Sequence, residues 1–364
     1  ALAADPRLRC VASRYEGRIR MPVRSLVTGG AGFIGSHVAE HLLRRDHEVV
    51  VLDDLSGGNA DNVPHGARLV VGSVLDVALL ERLFAQHRFD YVYHLAAYAA
   101  EGLSHFIKRF NYQNNLVGTV NVINASVNHE VRCLVYTSSI AVYGAAQLPM
   151  TEETVPQPED PYGIAKYAGE LDLAASRRLF GLEYIVFRPH NVYGERQNIG
   201  DKYRNVIGIF MNQIMHGRPM TIFGDGEQTR AFSYVGDVAP IIAASVDVPA
   251  ARNRVFNIGA DTPYTVNHLA QAVAAAMEKP PKIEHLAARH EVAHAYCDHG
   301  ACRQVFGNAP ATPLEEGLAA MAAWARAVGP RQSRPFEGIE IDRNLPPSWS
   351  GIVARPASLE EVSR

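Results

Sequence analysis

A tyrosine and a lysine four residues apart, Tyr162 and Lys166, lie in the stretch PYGIAKYAGE, which has the pattern of a helix. Residues four apart share one face of a helix, so the phenol and the ammonium would be neighbours. Two serines, Ser138 and Ser139, close the apolar run CLVYTSS, a predicted strand. A phenol with a pKa near 10 needs roughly 4 kcal/mol of extra phenolate stabilisation to act as a base at neutral pH, and a nearby ammonium supplies part of it. These residues predict a site at which a tyrosine takes and returns a proton.

A second pattern, SLVTGGAGFIGSHVAEHLL, places Gly29, Gly32 and Gly35 between a predicted strand and a predicted helix. Glycines let the backbone approach a pyrophosphate, and the positive end of the helix attracts its charge. Asp53 ends the next strand, VVVLD, where a carboxylate accepts the hydroxyl groups of an adenosine ribose. Asp54 beside it would repel the extra phosphate of NADP. The sequence therefore predicts an NAD site, the alternative being a glycine turn without a ligand.

A third pattern indicates a different chemistry. His290, Glu291 and His294 fit the H-E-x-x-H pattern of zinc metalloproteases, in which two histidines on one helix face bind zinc and the glutamate acts as a base. Such a site needs a core helix and a third ligand downstream, for which Glu315 stands at a suitable distance. Prolines and glycines intervene, and the chain has a candidate site elsewhere. We therefore expect no metal and keep the zinc protease only as an alternative.

The elements that would position these residues alternate along the chain. Apolar runs predict strands at residues 25–28, 49–53, 91–96, 133–139 and 183–189, and helical patterns between them lie near 33–45, 79–87, 112–129 and 161–180. Strands that alternate with crossover helices predict an α/β fold, a Rossmann-like doubly wound parallel sheet. The pattern then becomes mixed, with helices at 204–217 and 265–277 and strands at RAFSYV and VFNIG.

We expect four parts: an N-terminal extension (1–23), an NAD-binding domain (24–190), a smaller, mostly C-terminal α/β substrate-binding lobe (191–329) and a C-terminal tail (330–364). Strands around 229–260 are expected to return to the first domain. The Arg-rich first 20 residues either precede a native start at Met21 or belong to an organelle-targeted precursor. The last segment, rich in Pro, Ser and Arg, has the composition of an extended surface tail.

The composition indicates which partners and which cellular compartment to expect. The net charge of -3 gives no polycationic signature, so we expect no nucleic-acid partner. No apolar run reaches about 18 residues, so we expect no membrane span. Four cysteines in 364 residues are too few for a disulfide framework. We therefore expect a reducing compartment, the cytoplasm, or an organelle if the first residues belong to a targeted precursor.

Together the glycine loop, the serine strand end and the Tyr-x-x-x-Lys pair resemble the extended short-chain dehydrogenase/reductase family over roughly residues 24–308, and within it the NAD-dependent nucleotide-sugar 4-epimerases of the UDP-glucose type. The resemblance implies that Tyr162 is the base, that Lys166 lowers its pKa and binds the nicotinamide ribose, and that Ser139 binds the reacting sugar oxygen. It also implies further NAD contacts at the loop and the strand ends, from Phe33, Ile34, Ser73, Leu95, Ala96, Ala97, Asn115 and Arg188.

The resemblance further implies a nucleotide-sugar site in the second half of the chain. An arginine suits a diphosphate because its planar fork makes paired, charge-assisted hydrogen bonds. The implied contacts to the diphosphate and the nucleotide are Asn191, Asn205, Phe223, Arg230 and Arg289, with Glu291 as an acidic neighbour. Some epimerases place a bulky tyrosine at the position of Ala295, so we expect a roomier pocket that admits N-acetylated sugars.

Within the family, the residues that follow the catalytic serine differ between reaction types. Sugar 4,6-dehydratases typically carry an acidic pair there, whereas Ile140 and Ala141 follow Ser139 here. This favours epimerisation through a transient 4-keto sugar: Tyr162 takes the hydroxyl proton, NAD takes the hydride, the sugar turns over, and the hydride returns to its other face. Two departures from the family stand at Ser73, where a Gly-Asp pair is common, and at Ala99, where some epimerases carry a lysine.

Other functions of the same fold stay open. They are a uronic-acid epimerase, a dehydratase, a keto-sugar reductase, and a non-catalytic scaffold or RNA-binding protein. A reductase would consume NAD(P)H, whereas an epimerase shows no net turnover of the cofactor. Scaffold members often lose the tyrosine or the lysine, and both are present here. By analogy with dimeric relatives, we expect a homodimer.

Overall fold

The structure, a computed structural model, describes residues 22–288, 292–308, 311–333 and 336–350, without the side chains of Ser348 and Ser350. The strands in this part of the chain are β1 (Val23–Thr28), β2 (His47–Asp53), β3 (Arg68–Val71), β4 (Tyr91–His94), β5 (Cys133–Thr137), β6 (Glu183–Pro189), β7 (Val192–Tyr193), β8 (Met220–Phe223), β9 (Thr229–Ala231), β10 (Ser233–Tyr234), β11 (Arg254–Ile258), β12 (Pro263–Thr265), β13 (Ile283–Leu286) and β14 (His294–Ala295).

The helices of the same residues are α1 (Phe33–Leu43), α2 (Val77–His87), α3 (Glu101–Ser104), α4 (Lys108–Tyr112), α5 (Gly118–Asn128), α6 (Pro161–Phe180), α7 (Val206–Met215), α8 (Val235–Ala244), α9 (Val266–Ala276), α10 (Gly300–Phe306), α11 (Leu314–Val328) and α12 (Pro347–Ser350). A π-helical turn at Gln113–Val117 joins α4 to α5, and a 3-10 turn at Ile140–Tyr143 follows β5. None of the described helices is both long and apolar enough to cross a membrane.

A seven-stranded sheet in the order β11-β6-β5-β4-β1-β2-β3 forms the centre of the fold, and all of its neighbouring strands are parallel. This confirms the predicted Rossmann-like sheet. Its central strands are buried, as expected for a sheet covered by helices on both faces. The strand order reverses between β1 and β4, and ligands of such sheets bind outside the carboxyl ends of the strands at this point.

Local sequence explains the start and end of α6, the helix that carries the Tyr-x-x-x-Lys pair. Asp160 precedes it and accepts a hydrogen bond from the Gly163 amide at 2.9 Å, and Pro161 is its first residue. A capping carboxylate and an N-terminal proline both favour a helix start. Gly181 ends the helix at φ 80°, a left-handed conformation that favours glycine. The side chains of Tyr162 and Lys166 are thus fixed in the first two turns of a well-capped helix.

The second half of the chain completes the first. β11 pairs with β6 as the edge strand of the central sheet. α8 packs against α1, where Val238 and Ile242 share a buried core with Val38 and Leu42. The strand VFNIG therefore returns to the sheet that the first half began, whereas β9 and β10 form small sheets with other strands of the second half and with β7.

A smaller lobe lies beside the sheet. Its core is formed by α7, α9 and α11, with Phe210, Leu269 and Met321 fully buried among them. Two small sheets, β13-β8 and β12-β9-β14, border this core. The lobe therefore has an apolar centre of its own.

Residues 336–350, which composition predicts to be part of an exposed tail, pack against the helices that follow β4. The side chain of Trp349 is only 5% exposed and lies with Leu103 and Ile107 in an apolar cluster. Phe336 packs against Phe110, with ring centroids 4.9 Å apart. Apolar burial explains the difference, since Phe336, Ile339, Leu345 and Trp349 of this segment all pack in one apolar cluster.

Candidate active site

A cavity of about 530 Å³ lies at the carboxyl ends of the central strands, between the sheet and the smaller lobe. It brings together nearly all residues that the sequence analysis singled out. Those that line it are Gly29, Gly32, Phe33, Ile34, Gly35, Asp53, Asp54, Ser73, Leu95, Ala96, Ala97, Ser139, Tyr162, Lys166, Asn191, Asn205, Phe223, Arg230 and Ala295.

The glycine loop has the shape of a phosphate cradle. Gly29 has φ +72°, and a Cβ placed on it would lie 2.7 Å from the Ala96 amide nitrogen. A Cβ on Gly35 would lie 2.2 Å from the carbonyl oxygen of Gly29. Gly32 starts α1 without a side-chain cap, which leaves the amides of the first turn for a ligand. The loop, packed this tightly under a helix N-terminus that lines the cavity, fits a dinucleotide pyrophosphate.

Two carboxylates stand at the end of β2. Asp53 accepts hydrogen bonds from the Ala31 amide at 3.0 Å and the Leu55 amide at 2.8 Å. Burial raises the pKa of Asp53, and these amides oppose that rise. Asp54 accepts from the amide and hydroxyl of Ser56 at 2.9 Å and 2.6 Å. The site thus presents acceptors at the place where a ribose needs them, and negative charge where NADP would need positive charge.

The three candidate catalytic side chains converge from two elements. Ser139 follows β5, and its hydroxyl accepts a hydrogen bond from the Ala141 amide at 3.1 Å. Tyr162 and Lys166 come from α6. The Lys166 ammonium donates to the carbonyl oxygen of Thr137 at 2.8 Å and lies 5.9 Å from the centroid of the Tyr162 ring. All three line the same cavity as the glycine loop.

Burial acts on both members of the tyrosine–lysine pair. It raises the pKa of Tyr162 above its ordinary value, and the hydrogen bond with Ser139 opposes the rise. It lowers the pKa of Lys166 to about 7, and the Glu170 carboxylate opposes that shift. An additional positive charge next to Tyr162 would favour its phenolate, because opposite charges at close range stabilise each other.

Two residues that the resemblance assigned to the cofactor do not line the cavity. Asn115 lies in the π-helical turn, where its amide donates to the Tyr98 carbonyl at 3.0 Å and accepts from the Tyr98 amide at 2.7 Å. It therefore fixes the loop after β4 that carries the cavity wall. Arg188 pairs with Glu170 and donates to the Tyr143 hydroxyl at 2.7 Å. Both side chains of the Arg188–Glu170 pair are buried, so we correct Arg188 from a cofactor contact to a buried structural ion pair.

The substrate-side residues come from loops and short strands. Asn191 has φ 41° and donates to the Ala231 carbonyl at 3.1 Å, and Asn205 has φ 61°. Arg230 donates to the carbonyl oxygen of Ala293 at 2.9 Å and also to that of Val292. These bonds join its strand, β9, to the segment that leads into β14.

Pairing of β14 with β9 places Ala295 opposite Arg230. Ala295 is 8% exposed, lines the cavity and packs with Val142 and Met150. Its small, buried side chain thus forms part of the cavity floor. Arg289, the other arginine that the resemblance implies, lies outside the described residues.

The zinc-protease alternative requires its histidines on a helix. His294 instead lies on strand β14, where its Nδ1 shares a 2.8 Å hydrogen bond with the Thr229 hydroxyl. His290 and Glu291 lie outside the described residues. Within residues 22–288, 292–308, 311–333 and 336–350, no group of three histidine, cysteine or acidic side chains is arranged to hold a metal ion. The strand at His294 contradicts the geometry that a zincin needs.

Several cavity residues carry no signal in the sequence analysis, and three of them have chemistry of note. Arg204, in the loop before α7, places its guanidinium over the ring of Tyr98 at 4.6 Å. Gln197 is 2% exposed, and within the described chain neither its amide oxygen nor its nitrogen has a hydrogen-bond partner. His190 lies at the end of β6, 3.0 Å from His299. Gln197 and Arg204 belong to a loop, and His190 follows a strand, so no periodic pattern marked them.

A Rossmann-like sheet, a glycine cradle at its switch point and a Ser, Tyr, Lys trio in the same cavity define a dinucleotide-dependent enzyme. The model of the NAD dependent epimerase/dehydratase family matches residues 25–259. The chain belongs to this family and is an NAD-dependent enzyme.

Three similar proteins place it more closely. A UDP-glucose 4-epimerase of Mycolicibacterium smegmatis is 36% identical over 306 residues, 82% of this chain and 96% of the relative. The structure of UDP-glucose 4-epimerase with UDP-glucose from Thermotoga maritima has a TM-score of 0.80 at 34% identity, covering 84% of this chain and 99% of that chain. The UDP-N-acetylglucosamine 4-epimerase of Methanobrevibacter ruminantium in complex with UDP-N-acetylmuramic acid has a TM-score of 0.78 at 30% identity, covering 83% and 98%. The likeness therefore extends over nearly the whole length of each relative.

Proposed function

We propose that the protein is a UDP-hexose 4-epimerase that acts through a transient 4-keto sugar. The observation that carries the proposal is the convergence of Ser139, Tyr162 and Lys166 beside the glycine cradle in one cavity. The similarity to UDP-sugar 4-epimerases supports the reaction class. The residues after Ser139 are Ile140 and Ala141, so no carboxylate stands where a dehydratase of the family typically has its acidic pair.

Tyr162 moves the proton of the sugar C4 hydroxyl, and Ser139 holds the same oxygen by a hydrogen bond. The ammonium of Lys166, 5.9 Å from the centroid of the Tyr162 ring, stabilises the phenolate, and we also assign it to the nicotinamide ribose. When bound, NAD supplies the reversible hydride acceptor and a positive charge beside Tyr162. Since proton and hydride both return to the sugar, the reaction has no net consumption of cofactor.

The substrate side is assigned to the second half of the chain. Arg230 binds the diphosphate, Asn191 and Asn205 donate to it, and Phe223 contacts the base. Arg230 is already tied to the carbonyl oxygens before β14, so the diphosphate site and the sugar site share a rigid frame. Correspondingly, residues 24–190 together with β11 form the NAD-binding domain, and 191–329 supply most of the substrate lobe.

The small side chain of Ala295 favours N-acetylated hexoses as additional substrates. A UDP-N-acetylglucosamine 4-epimerase among the structural relatives supports this assignment. Ala295 is buried at the cavity floor, so a larger side chain there would shorten the sugar site rather than move into solvent.

Proton NMR of the anomeric region tests the proposed reaction. Purified protein is incubated with NAD and, separately, with UDP-glucose, UDP-N-acetylglucosamine and UDP-glucuronate. We expect the C4 epimer of at least one of the first two, with constant NADH absorbance at 340 nm over many turnovers. Tyr162→Phe is the matched control and should stop epimerisation while NAD remains bound. A protein that binds NAD but forms no 4-epimer overturns the proposal, and conversion of UDP-glucuronate alone replaces it with a uronic-acid epimerase.

The protein is further proposed to be a homodimer through α6. Ile164 and Leu171, seven residues apart and thus on one face of this helix, are 42% and 54% exposed. Val117, in the turn that packs beside α6, is 46% exposed. Exposed apolar side chains on adjacent helices favour burial against a second copy. Light scattering should give twice the chain mass, and Leu171→Glu should give the monomer.

The proposed compartment is the cytoplasm. Cys133, Cys297 and Cys302 are buried thiols without a disulfide. Burial raises the pKa of each of them to about 12, which keeps them protonated and unreactive. Structural thiols of this kind suit a reducing environment. Fractionation of the native host, with detection by antibody, tests the assignment.

A further inference from the structure

Arg204 belongs to the smaller lobe but extends over the cofactor half of the cavity. Its loop joins β7 to α7, and its guanidinium lies 4.6 Å from the centroid of the Tyr98 ring. Its Nη2 would be 3.4 Å from a Cβ built on Gly57. Tyr98 follows β4 and Gly57 follows β2, two strands whose ends form the cofactor side. The arginine therefore connects the smaller lobe to the cofactor side of the cavity.

The backbone around Gly57 is joined to the phosphate cradle. The Asn59 amide donates to the Ala31 carbonyl at 2.9 Å, and the Asn62 side chain donates to the same oxygen at 3.1 Å. Ala31 lies inside the glycine loop, directly before the N-terminus of α1. A guanidinium next to Gly57 thus lies beside a segment that packs on the glycine loop, whose helix terminus attracts a diphosphate.

Asp201 orients Arg204 by binding only one side of its guanidinium, at Nε and Nη2. One carboxylate oxygen of Asp201 accepts from the Arg204 Nε at 2.8 Å and lies 2.6 Å from its Nη2. Within the described residues, the Arg204 Nη1 makes no hydrogen bond, and this nitrogen is not fully buried. Because Arg204 lines the cavity, Nη1 is accessible from it. An arginine held at one side of its fork keeps donors free for an anion on the other side.

The C-terminal strap, residues 336–350, holds the neighbour of this arginine. The Tyr203 hydroxyl accepts a hydrogen bond from the Phe336 amide at 3.1 Å, and its ring centroid is 5.2 Å from that of Trp349. Glu340 in turn accepts from the amides of Arg109 and Phe110 at 2.9 Å and 3.0 Å. The strap therefore clamps the loop before α7 onto the helices that follow β4.

The strap also packs against residues that line the cavity. Phe336 packs against Tyr98 with centroids 5.4 Å apart, and Tyr98 carries the guanidinium of Arg204 on its ring. Trp349 lies 3.7 Å from a Cβ built on Gly102, another cavity residue. The aromatic side chains of the strap thus contact both Tyr203, which precedes Arg204, and Tyr98, on whose ring the guanidinium lies.

We propose that Arg204 binds the diphosphate of NAD from the smaller-lobe side of the cavity, and that the C-terminal strap holds it in place. The inference depends on the NAD requirement of the family and not on which sugar is the substrate. Its consequence is kinetic: the cofactor leaves slowly because a cation must first move away from its diphosphate. Slow release suits a reaction that regenerates its cofactor in every turnover.

Release of NAD, measured without any sugar, tests the role of the arginine. Protein loaded with radiolabelled NAD is diluted into excess unlabelled NAD, and retained label is followed by rapid filtration. Arg204→Gln should speed release roughly tenfold to a hundredfold, as expected for a lost charge-assisted contact, and Arg204→Lys should restore part of it. The exposed Arg218→Gln is the matched control and should leave the rate unchanged. Unchanged release in Arg204→Gln overturns the proposal, and a rise only in the KM for the nucleotide sugar assigns the arginine to the other diphosphate.

The role of the strap is tested by coupling. Trp349→Ala and Phe336→Ala should each speed NAD release, and either change should add little in the Arg204→Gln background because both act through the same guanidinium. Thermal melting monitors the fold in every variant. A lower melting temperature with unchanged release, or effects that multiply in the double variants, overturns the positioning role. Because release is measured without sugar, loss of the proposed epimerase activity would leave this result standing.

Discussion

The ammonium of Lys166 donates a hydrogen bond to the carbonyl oxygen of Thr137, 2.8 Å away, and thereby joins α6 to the end of β5. The same helix turn carries Tyr162 and the same strand end leads into Ser139. One buried hydrogen bond thus aligns the proton donor and acceptor groups of the site. Because this lysine is buried, its ammonium loses its proton at a much lower pH than the ammonium of an exposed lysine.

We expect kcat/KM to fall on the alkaline side with a midpoint well below 10.5. Burial lowers the pKa of Lys166 to about 7, so its ammonium loses a proton as the pH rises through that value, and the support for the Tyr162 phenolate is lost. A pH profile of epimerisation measures this directly. Lys166→Arg should be slower but should lack this limb, because a guanidinium stays charged. An alkaline limb that persists unchanged in Lys166→Arg would assign it to another group.

The buried pair of Glu170 and Arg188 should be a major determinant of stability. Both side chains are about 95% buried, and Glu170 also accepts a hydrogen bond from the Ser138 hydroxyl. Glu170→Gln leaves the guanidinium of Arg188 without its counter-charge, and we expect a loss of about 3–5 kcal/mol in the free energy of unfolding. Asp247→Asn, which breaks the exposed pair with Arg45, should cost less than about 1 kcal/mol. Urea unfolding compares the two, and equal losses would contradict the assignment.

Acid should destabilise the protein through two buried histidines. Burial lowers the pKa of His94 and of His190 to about 3, so both stay neutral in the folded chain while an unfolded histidine is protonated below about 6.5. Their stabilising contribution is therefore present above about pH 6.5 and is lost as the pH falls towards 3. Each contributes a slope of up to about 1.4 kcal/mol per pH unit.

The acid effect is measured by urea unfolding at pH 7.5, 6.0 and 5.0. His190→Asn should reduce the slope of the unfolding free energy against pH, whereas the exposed His65→Asn should not. The groups that face His190 are His299, and beyond it Asp261 and Arg303, so these should be kept intact in the comparison. A slope that is the same in both variants would show that other groups dominate acid unfolding.

Ala295→Tyr should discriminate between sugars. A tyrosine at this buried position would occupy the cavity floor beside Met150. We expect kcat/KM for UDP-N-acetylglucosamine to fall at least about tenfold more than that for UDP-glucose, since the lost space accommodates the acetamido group. Parallel assays of the two sugars provide the measurement. Ala295→Ser, which adds little volume, is the control, and equal loss on both sugars in the tyrosine variant would count against the assignment.

The parts of the site that local patterns encode could be predicted. Gly29, Gly32 and Gly35 stand at fixed offsets between a strand and a helix, and Tyr162 and Lys166 share a helix face, so each signal is complete within a few residues. The seven-stranded sheet follows from its alternating apolar runs. Of the strands around 229–260 that were expected to return to the first domain, β11 does so, whereas β9 and β10 pair in small sheets outside the central one.

Features that depend on long-range packing could not be predicted. Arg204 stands in a loop, and only the fold brings it to Tyr98 and Gly57. The resemblance assigns Asn115 to the cofactor, whereas in the structure both ends of its amide bind the backbone of Tyr98. Trp349 lies in a segment with the composition of a tail, and only the fold supplies the apolar cluster and the amides on which this segment docks.

The edge position of β11 affects how the chain can fold as it is synthesised. Its partner β6 emerges from the ribosome well before it, because residues 190–253 lie between the two strands. Until then β6 keeps an open hydrogen-bonding edge, and α1 lacks the cover that α8 gives it. A nascent cofactor domain is therefore incomplete and prone to aggregate, and an excised fragment 24–190 should not be an autonomous folding unit.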